Sequence, residues 1–381
     1  MKKTLLTYCL VVSVITLALT GCVGVDFCEE TNHASGISIS LDNDIDKAVV
    51  IANRPYNTTK YAYVWDTTLG AGYRIGHVSA EGKDAYNHDA LTSFIAGNDL
   101  TNAEAQEVKP GKYSFIALST VPSMRIDQLN AFMSETQASA DIIGISLKTY
   151  ANAADIAPAF TDWIDMNPSV PYAKDEGSIM FDEKAIDIEA AQPAAVAFQL
   201  KPITQHVTFE LTIVRNNPQL VVDSLHAEIS GVVTSRMLRE GYLDMNGQHA
   251  ARMLFAMTPR QQADTAYVCQ GELNTLGIMA PASTEMQTGP GIMHVMAYTH
   301  LTDTDGRTRH RAYMWGINML GILSQHPLLV RTRDMQHHVI TAAEETVKLP
   351  VALHINAEDY DSDADIYQWE HNNSNHVEVE Y

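Results

Sequence analysis

Val207-Thr208-Phe209-Glu210-Leu211-Thr212-Ile213 places an apolar side chain at every second position for seven residues. Successive side chains of a strand point to opposite faces, so this stretch has one apolar and one polar face, as a half-buried strand requires. Its β-branched and aromatic residues suit a pleated surface. Downstream, an apolar run from Ile292 to Leu301 is followed by Thr302-Asp303-Thr304-Asp305-Gly306, and apolar character returns at Arg311-Ala312-Tyr313-Met314-Trp315-Gly316-Ile317. Gly accepts the positive φ of a tight turn, so the Asp-Gly step predicts a β-hairpin with Asp303 and Asp305 as turn formers. Ala48–Ala52, Tyr61–Trp65, Tyr113–Leu118, Leu225–Ile229 and Val347–Leu353 read as further short strands with turn signals between them. The chain is all-β.

Helix is expected in two places. Ile126 to Met133 spaces its apolar residues near 3.6, and Ala151 to Trp163 is Ala-rich but interrupted by Pro158. The chain between Met124 and Tyr172 is otherwise irregular. A small-residue stretch with a proline, Glu189-Ala190-Ala191-Gln192-Pro193-Ala194-Ala195, marks the expected division of the body into two β domains.

The N-terminus reads as an export signal. Met1-Lys2-Lys3 is followed by a mostly apolar segment from Leu5 to Leu19, too short for a stable spanning helix, and then by Leu19-Thr20-Gly21-Cys22. That tetrapeptide resembles the bacterial lipobox, in which the Cys thiol takes diacylglycerol and becomes the first mature residue. The plainer alternative is an ordinary signal peptide with an incidental Cys. Acyl chains contribute about 0.8 kcal/mol per buried CH₂, so lipid on Cys22 anchors a chain that has no spanning segment. Glu29 and Glu30 follow closely. They read equally as a surface-export signal of Gram-negative lipoproteins or as a solvated acidic tether.

Composition narrows the partners. A chain of 381 residues suffices for two domains once the signal is removed, and 46% hydrophobic content supports real cores. The net charge is −21, and loss of Lys2 and Lys3 makes the exported body more acidic still. Such a body repels nucleic acid and anionic headgroups, so neither is an expected partner. Cys9 leaves with the signal and Cys22 takes lipid, which leaves Cys28 and Cys269. Nothing in their spacing supports a disulfide, and two unpaired thiols are expected.

Two stretches carry a resemblance. Val108-Lys109-Pro110-Gly111-Lys112-Tyr113-Ser114-Phe115-Ile116-Ala117 resembles the Pro-Gly-x-Tyr entry to a core strand in fimbrillin-type lipoproteins. Ile229-Ser230-Gly231-Val232-Val233-Thr234-Ser235 resembles the second domain of the same group, the fimbrium anchor and accessory lipoproteins of type V pili. Together with the lipobox, the resemblance implies two transthyretin-like β-sandwich domains in tandem with few short helices. The implied layout is a signal peptide over 1–21, a lipidated tether over 22–36, an N-terminal sandwich over 37–191, a C-terminal sandwich over 192–355 and an acidic tail over 356–381. It implies a non-enzymatic outer-membrane surface lipoprotein acting in pilus assembly and cell adhesion. Fimbrial subunits are the implied partners, joined by strand addition along an open sheet edge.

Asp359, Asp361, Asp363 and Glu370 stand at positions 1, 3, 5 and 12 of a Ca²⁺ loop, but Ala364 occupies the position that needs Gly, and a solvated acidic tail is the simpler reading. Asp42-Asn43-Asp44-Ile45-Asp46 is a weaker case. His337 and His338 are adjacent, so on a strand they face opposite ways, and His294, His300, His310 and His326 lack His-Glu-x-x-His spacing. They are expected as surface or core histidines. Gly70-Ala71-Gly72 reads as a turn. No Gly-x-Ser-x-Gly elbow or phosphate-binding loop occurs, and no cofactor is expected. Tyr61, Tyr63 and Trp65 share one face of a strand. They are expected in the core; the alternative is a carbohydrate platform, which would make the chain a surface glycan-binding lipoprotein of a polysaccharide uptake system. An envelope hydrolase is a third reading, because acid pairs cannot be judged by spacing.

Overall fold

The computed structural model describes residues 35–41, 45–54, 59–79, 82–84, 86–98, 107–134, 139–165, 168–239, 250–331, 343–361 and 368–370. Within them the chain is mostly strand, arranged as two stacked-sheet modules.

In the first module, β1 (Ser35–Leu41), β2 (Lys47–Asn53), β3 (Lys60–Asp66), β4 (Ala71–Ser79), β5 (Gly111–Ser119), β6 (Met180–Ile188) and β7 (Ala194–Phe198) are the longer strands. The large layer runs β6-β5-β2-β3-β4 with antiparallel neighbours throughout. The small layer holds β1 between β7, which is parallel to it, and Glu107–Val108, which is antiparallel. Ile37, Ile39, Val196 and Phe198 of the small layer pack against Val50, Ala52, Tyr61, Tyr63, Trp65, Tyr113 and Phe115 of the large one. The opposite face of the large layer is also covered. Val49, Ile51, Val64 and Ile116 join Leu91, Phe94 and Ile95 of helix α1 (His88–Ile95) and Phe132 and Met133 of α2 (Leu129–Ser134). Burial on both faces explains why Ala48–Ala52 is apolar throughout instead of alternating. Pro110-Gly111 leads into β5, and Tyr113 is buried two residues later.

The second module opens with β8 (Gln205–Arg215), whose burial alternates along its whole length as Val207–Ile213 foretells. It lies between β11 (Ala266–Thr275), antiparallel, and β14 (Glu344–Ile355), parallel. β9 (Leu220–Val233), β12 (Ile292–Thr302) and β13 (Thr308–Asn318) form the other layer. The long β10 (Ala250–Ala263) serves both: its first half pairs with β9 and its second with β11. The β12–β13 hairpin closes through Asp303 to Gly306, where Gly306 has φ +83° and donates its N–H to the Asp303 carbonyl at 2.9 Å. Val207, Phe209, Leu211 and Ile213 face Ala227, Ile229, Val295, Ala297 and Trp315 across this core.

Residues 194–202 stay with the first module. β7 pairs with β1, Lys201–Pro202 pairs with β6, and the second module begins at Gln205. The modules are stitched as well as linked. Ser235–Met237 pairs with Gly144–Leu147, Tyr172–Ala173 runs parallel to β10, and one apolar core extends through both.

Both expected helices differ in detail. Ile126 belongs to a strand, Met124–Asp127, because Gln128 takes φ +60° and only after that break does α2 begin. Ala151–Trp163 forms two 3₁₀ turns, Ala153–Asp155 and Pro158–Phe160, since Pro158 supplies no N–H and starts a turn in place of continuing one.

Candidate functional site

The segment between Gly144 and Ala173 covers the outer face of the second module. Ile156, Phe160, Trp163 and Tyr172 pack on Leu254, Met296 and Met314, with Tyr150, Ala153 and Ile164 at the margin. Phe160 meets the His226 ring edge-on, and the Tyr298 hydroxyl donates to the Asp162 carbonyl at 2.8 Å.

Beneath this cover lies a fully enclosed cation. Arg252 sits on β10, where Tyr172 and Ala173 pair beside it. Both of its terminal nitrogens grip the Asp165 carboxylate, Nη2 to Oδ2 at 3.0 Å, while Nε donates to the Val170 carbonyl at 2.9 Å. Nη1 reaches Glu228 Oε2 at 3.3 Å, and the guanidinium carbon stands 3.9 Å from the Tyr172 ring centroid. Glu228 is 1% exposed and takes two more contacts, from Trp163 Nε1 at 3.2 Å and His294 Nδ1 at 3.3 Å. Burial works against the Arg252 charge, but Asp165 and Glu228 outweigh it and hold the pKa above the ordinary value. A bidentate Arg–carboxylate pair fixes direction as well as charge. The arrangement positions a segment; it offers no reacting geometry.

A second contact ties the modules at the surface. Arg239 meets Asp141 Oδ1 at 3.1 Å and Glu183 Oε2 at 3.2 Å. The Ser139 hydrogen bond is the largest influence on Asp141 and lowers its pKa; burial opposes it, and the hydrogen bond and charge of Arg239 add to the lowering.

At the other end of the chain, β1 is the strand nearest the N-terminus among the described residues. Five of its residues, Ile37 to Leu41, pair in parallel with Ala194 to Phe198, and Ile37 and Ile39 are buried. The Ser35 hydroxyl donates to the Glu189 carbonyl at 2.6 Å.

The sequence-derived candidates fall as follows. Tyr61, Tyr63 and Trp65 are 2%, 0% and 4% exposed, a core stripe with Tyr61 and Tyr63 stacked. Asp359 accepts from the Tyr313 hydroxyl at 3.0 Å. Asp363 and the side chains of Asp361 and Glu370 lie outside the described residues, as do Cys22, Cys28, Asp42 to Asp44, His337 and His338. Cys269 is buried and free, and burial pushes its thiol pKa up to about 12. His294 belongs to the Glu228 cluster and His326 to Glu345 at 2.9 Å. His300 and His310 come together across the hairpin. Sequence reading missed the Arg252 cluster. Its signal was an Arg inside the apolar run Ala250-Ala251-Arg252-Met253-Leu254-Phe255, since Arg is rarely buried unless paired.

No protein-family model and no curated protein matches the sequence. Several solved structures are similar to the chain. A candidate adhesin from Bacteroides ovatus is 12% identical, covering 84% of this chain and 92% of its own, at a TM-score of 0.41. A candidate adhesin from Bacteroides thetaiotaomicron is 10% identical, with coverage of 86% and 93% and a TM-score of 0.42. The fimbrial anchor protein Mfa2 of Porphyromonas gingivalis is 11% identical, with coverage of 83% and 90% and a TM-score of 0.37. At such values the role of this chain is read from its own residues.

Proposed function

We propose that this chain is a non-enzymatic surface lipoprotein, held in the outer membrane by lipid on Cys22, that acts as an anchor or accessory subunit of a surface fibre. The observation that carries this reading is the seat of β1. The strand that would leave the tether lies in the middle of its sheet, paired on both sides. A pull from the membrane runs along β1, so its five parallel pairings with β7 share the load together and do not open one by one. Resistance to force is set by the unfolding barrier, and a shared load raises that barrier. The continuous core and the Arg252–Asp165 grip then pass the load into the second module.

Adhesion and fibre assembly need contact surfaces and no bond-making. Fibre partners would join by strand addition along an open sheet edge. The acidic body leaves membrane attachment to acyl chains, since headgroup attraction works against it. The glycan-platform alternative loses its aromatic face, because Tyr61, Tyr63 and Trp65 are enclosed.

The test has two arms. Labelled palmitate should enter the protein and be lost, with membrane retention, in Cys22→Ala, and the chain should co-purify with fibres from outer-membrane fractions. An unlabelled chain, or a deletion strain with fibre yield and anchoring unchanged, overturns the proposal.

A further inference from the structure

The β12–β13 hairpin is symmetric about Asp305, which makes His300 and His310 directly opposed cross-strand partners. Opposed residues share a face, and their ring centroids are 5.7 Å apart. This is the outer face, because Met296 and Met314, four residues along each strand, lie in the cluster under the 144–173 cover. The cover stops short of the histidines: His310 is exposed and His300 half-buried.

The neighbouring strand supplies a third group. β9 and β12 slip register between Val222 and Ser224, so Asp223 is the extra residue of a β-bulge. A bulge re-aims a side chain that regular alternation would turn away. Asp223 Oδ1 lies 2.7 Å from His300 Nδ1. One ligand atom from each of Asp223, His300 and His310 falls within 4.8 Å of the others.

We propose that Asp223, His300 and His310 bind a divalent transition cation of the zinc class. Two imidazoles and one carboxylate suit zinc, copper or nickel better than calcium or magnesium, which take oxygen ligands. Around tetrahedral zinc, ligand atoms stand about 3.3 Å apart. Side-chain rotations at a solvent-facing site close the remaining gap. Each imidazole offers the ion an unprotonated ring nitrogen, and Asp223 offers a carboxylate oxygen. Three protein ligands leave the fourth corner to water or to a group on a partner. The bound ion pins the hairpin tip to the bulge of β9. This inference is independent of lipid anchoring and of fibre assembly.

The test uses the full chain in detergent, stripped with chelator and titrated with Zn²⁺ by calorimetry. One saturable site is expected, with Co²⁺ giving a four-coordinate visible absorption band at the same stoichiometry. His310→Gln, which changes an exposed side chain, and Asp223→Asn should each weaken Zn²⁺ at least tenfold and remove the Co²⁺ band. His206→Gln, whose imidazole sits by Glu272 away from the cluster, should leave both unchanged. Binding that survives intact in His310→Gln and Asp223→Asn, or a parent chain with no saturable site, overturns the proposal.

Discussion

Arg252 and Asp165 form a two-pronged ion pair across 87 positions of sequence, at the point where the 144–173 segment meets the second module. A pair whose cation is buried adds little to stability compared with apolar side chains of equal volume, because the desolvation cost offsets the attraction. Its value here is directional. The guanidinium has Asp165 on one side, Glu228 on another, the Val170 carbonyl at Nε and the Tyr172 ring against its face, so the segment has one seat.

Removing the cation should be costly. Arg252→Ala leaves Glu228 and Asp165 without their counter-charge, and breaking such a pair typically costs about 3–5 kcal/mol. Urea unfolding should show that loss, and Trp163, which donates to Glu228, should change its fluorescence in the native state. Arg252→Lys should recover only part of it, since an ammonium cannot reproduce the fork. Unchanged stability in Arg252→Ala would mean that the segment is held by apolar contacts alone.

Gly231 should not tolerate a side chain. It lies at φ +76° in a bulge of β9, and a Cβ there would stand 2.7 Å from Pro290 Cβ and 2.8 Å from Pro290 Cα. The Gly231→Ala variant should lose about 1–3 kcal/mol in thermal or urea unfolding, combining backbone strain with the clash. A neutral result would require the 289–291 turn to move freely.

How much of this was legible depended on the range of each signal. The strand at Val207–Ile213 and the hairpin at Asp303–Gly306 were readable because period-2 burial and turn chemistry are local. The helix expected at Ile126–Met133 was cut by Gln128 because a short apolar spacing fits a strand end as well as a helix. The Arg252 cluster gathers residues 24 and 87 positions from the arginine, which no spacing rule joins. His300 and His310 were within reach: once the turn is placed, residues equidistant from Asp305 must face one another. The Asp223 bulge was not, since nothing in the sequence marks the register slip.

Cys269 should be inert in the folded chain. It is enclosed on β11, and burial favours its neutral form, pushing the pKa up to about 12. The thiolate is the reactive species, so iodoacetamide at pH 8 should label Cys269 only after denaturant is added. The unfolded thiol ionises first, so the stability that burial of the neutral thiol contributes is full below the unfolded pKa and is lost as pH rises through the folded one. Rapid native labelling, read by peptide mass spectrometry, would show that β11 opens readily.

Acid should loosen the surface tie between the modules. Asp141 has its pKa lowered by Ser139 and Arg239, so the folded state favours its carboxylate more than the unfolded state does. That stabilisation is present above the unfolded pKa and disappears as pH falls through the folded value. Asp141 is half exposed, which limits the contribution to below about 1 kcal/mol. The parent should therefore be slightly more stable than Asp141→Asn at pH 7, and the difference should shrink to nothing as both are titrated toward pH 2. Urea midpoints across that range provide the measurement, and a gap that stays constant with pH would assign the effect to the Ser139 hydrogen bond in its neutral form instead of to charge.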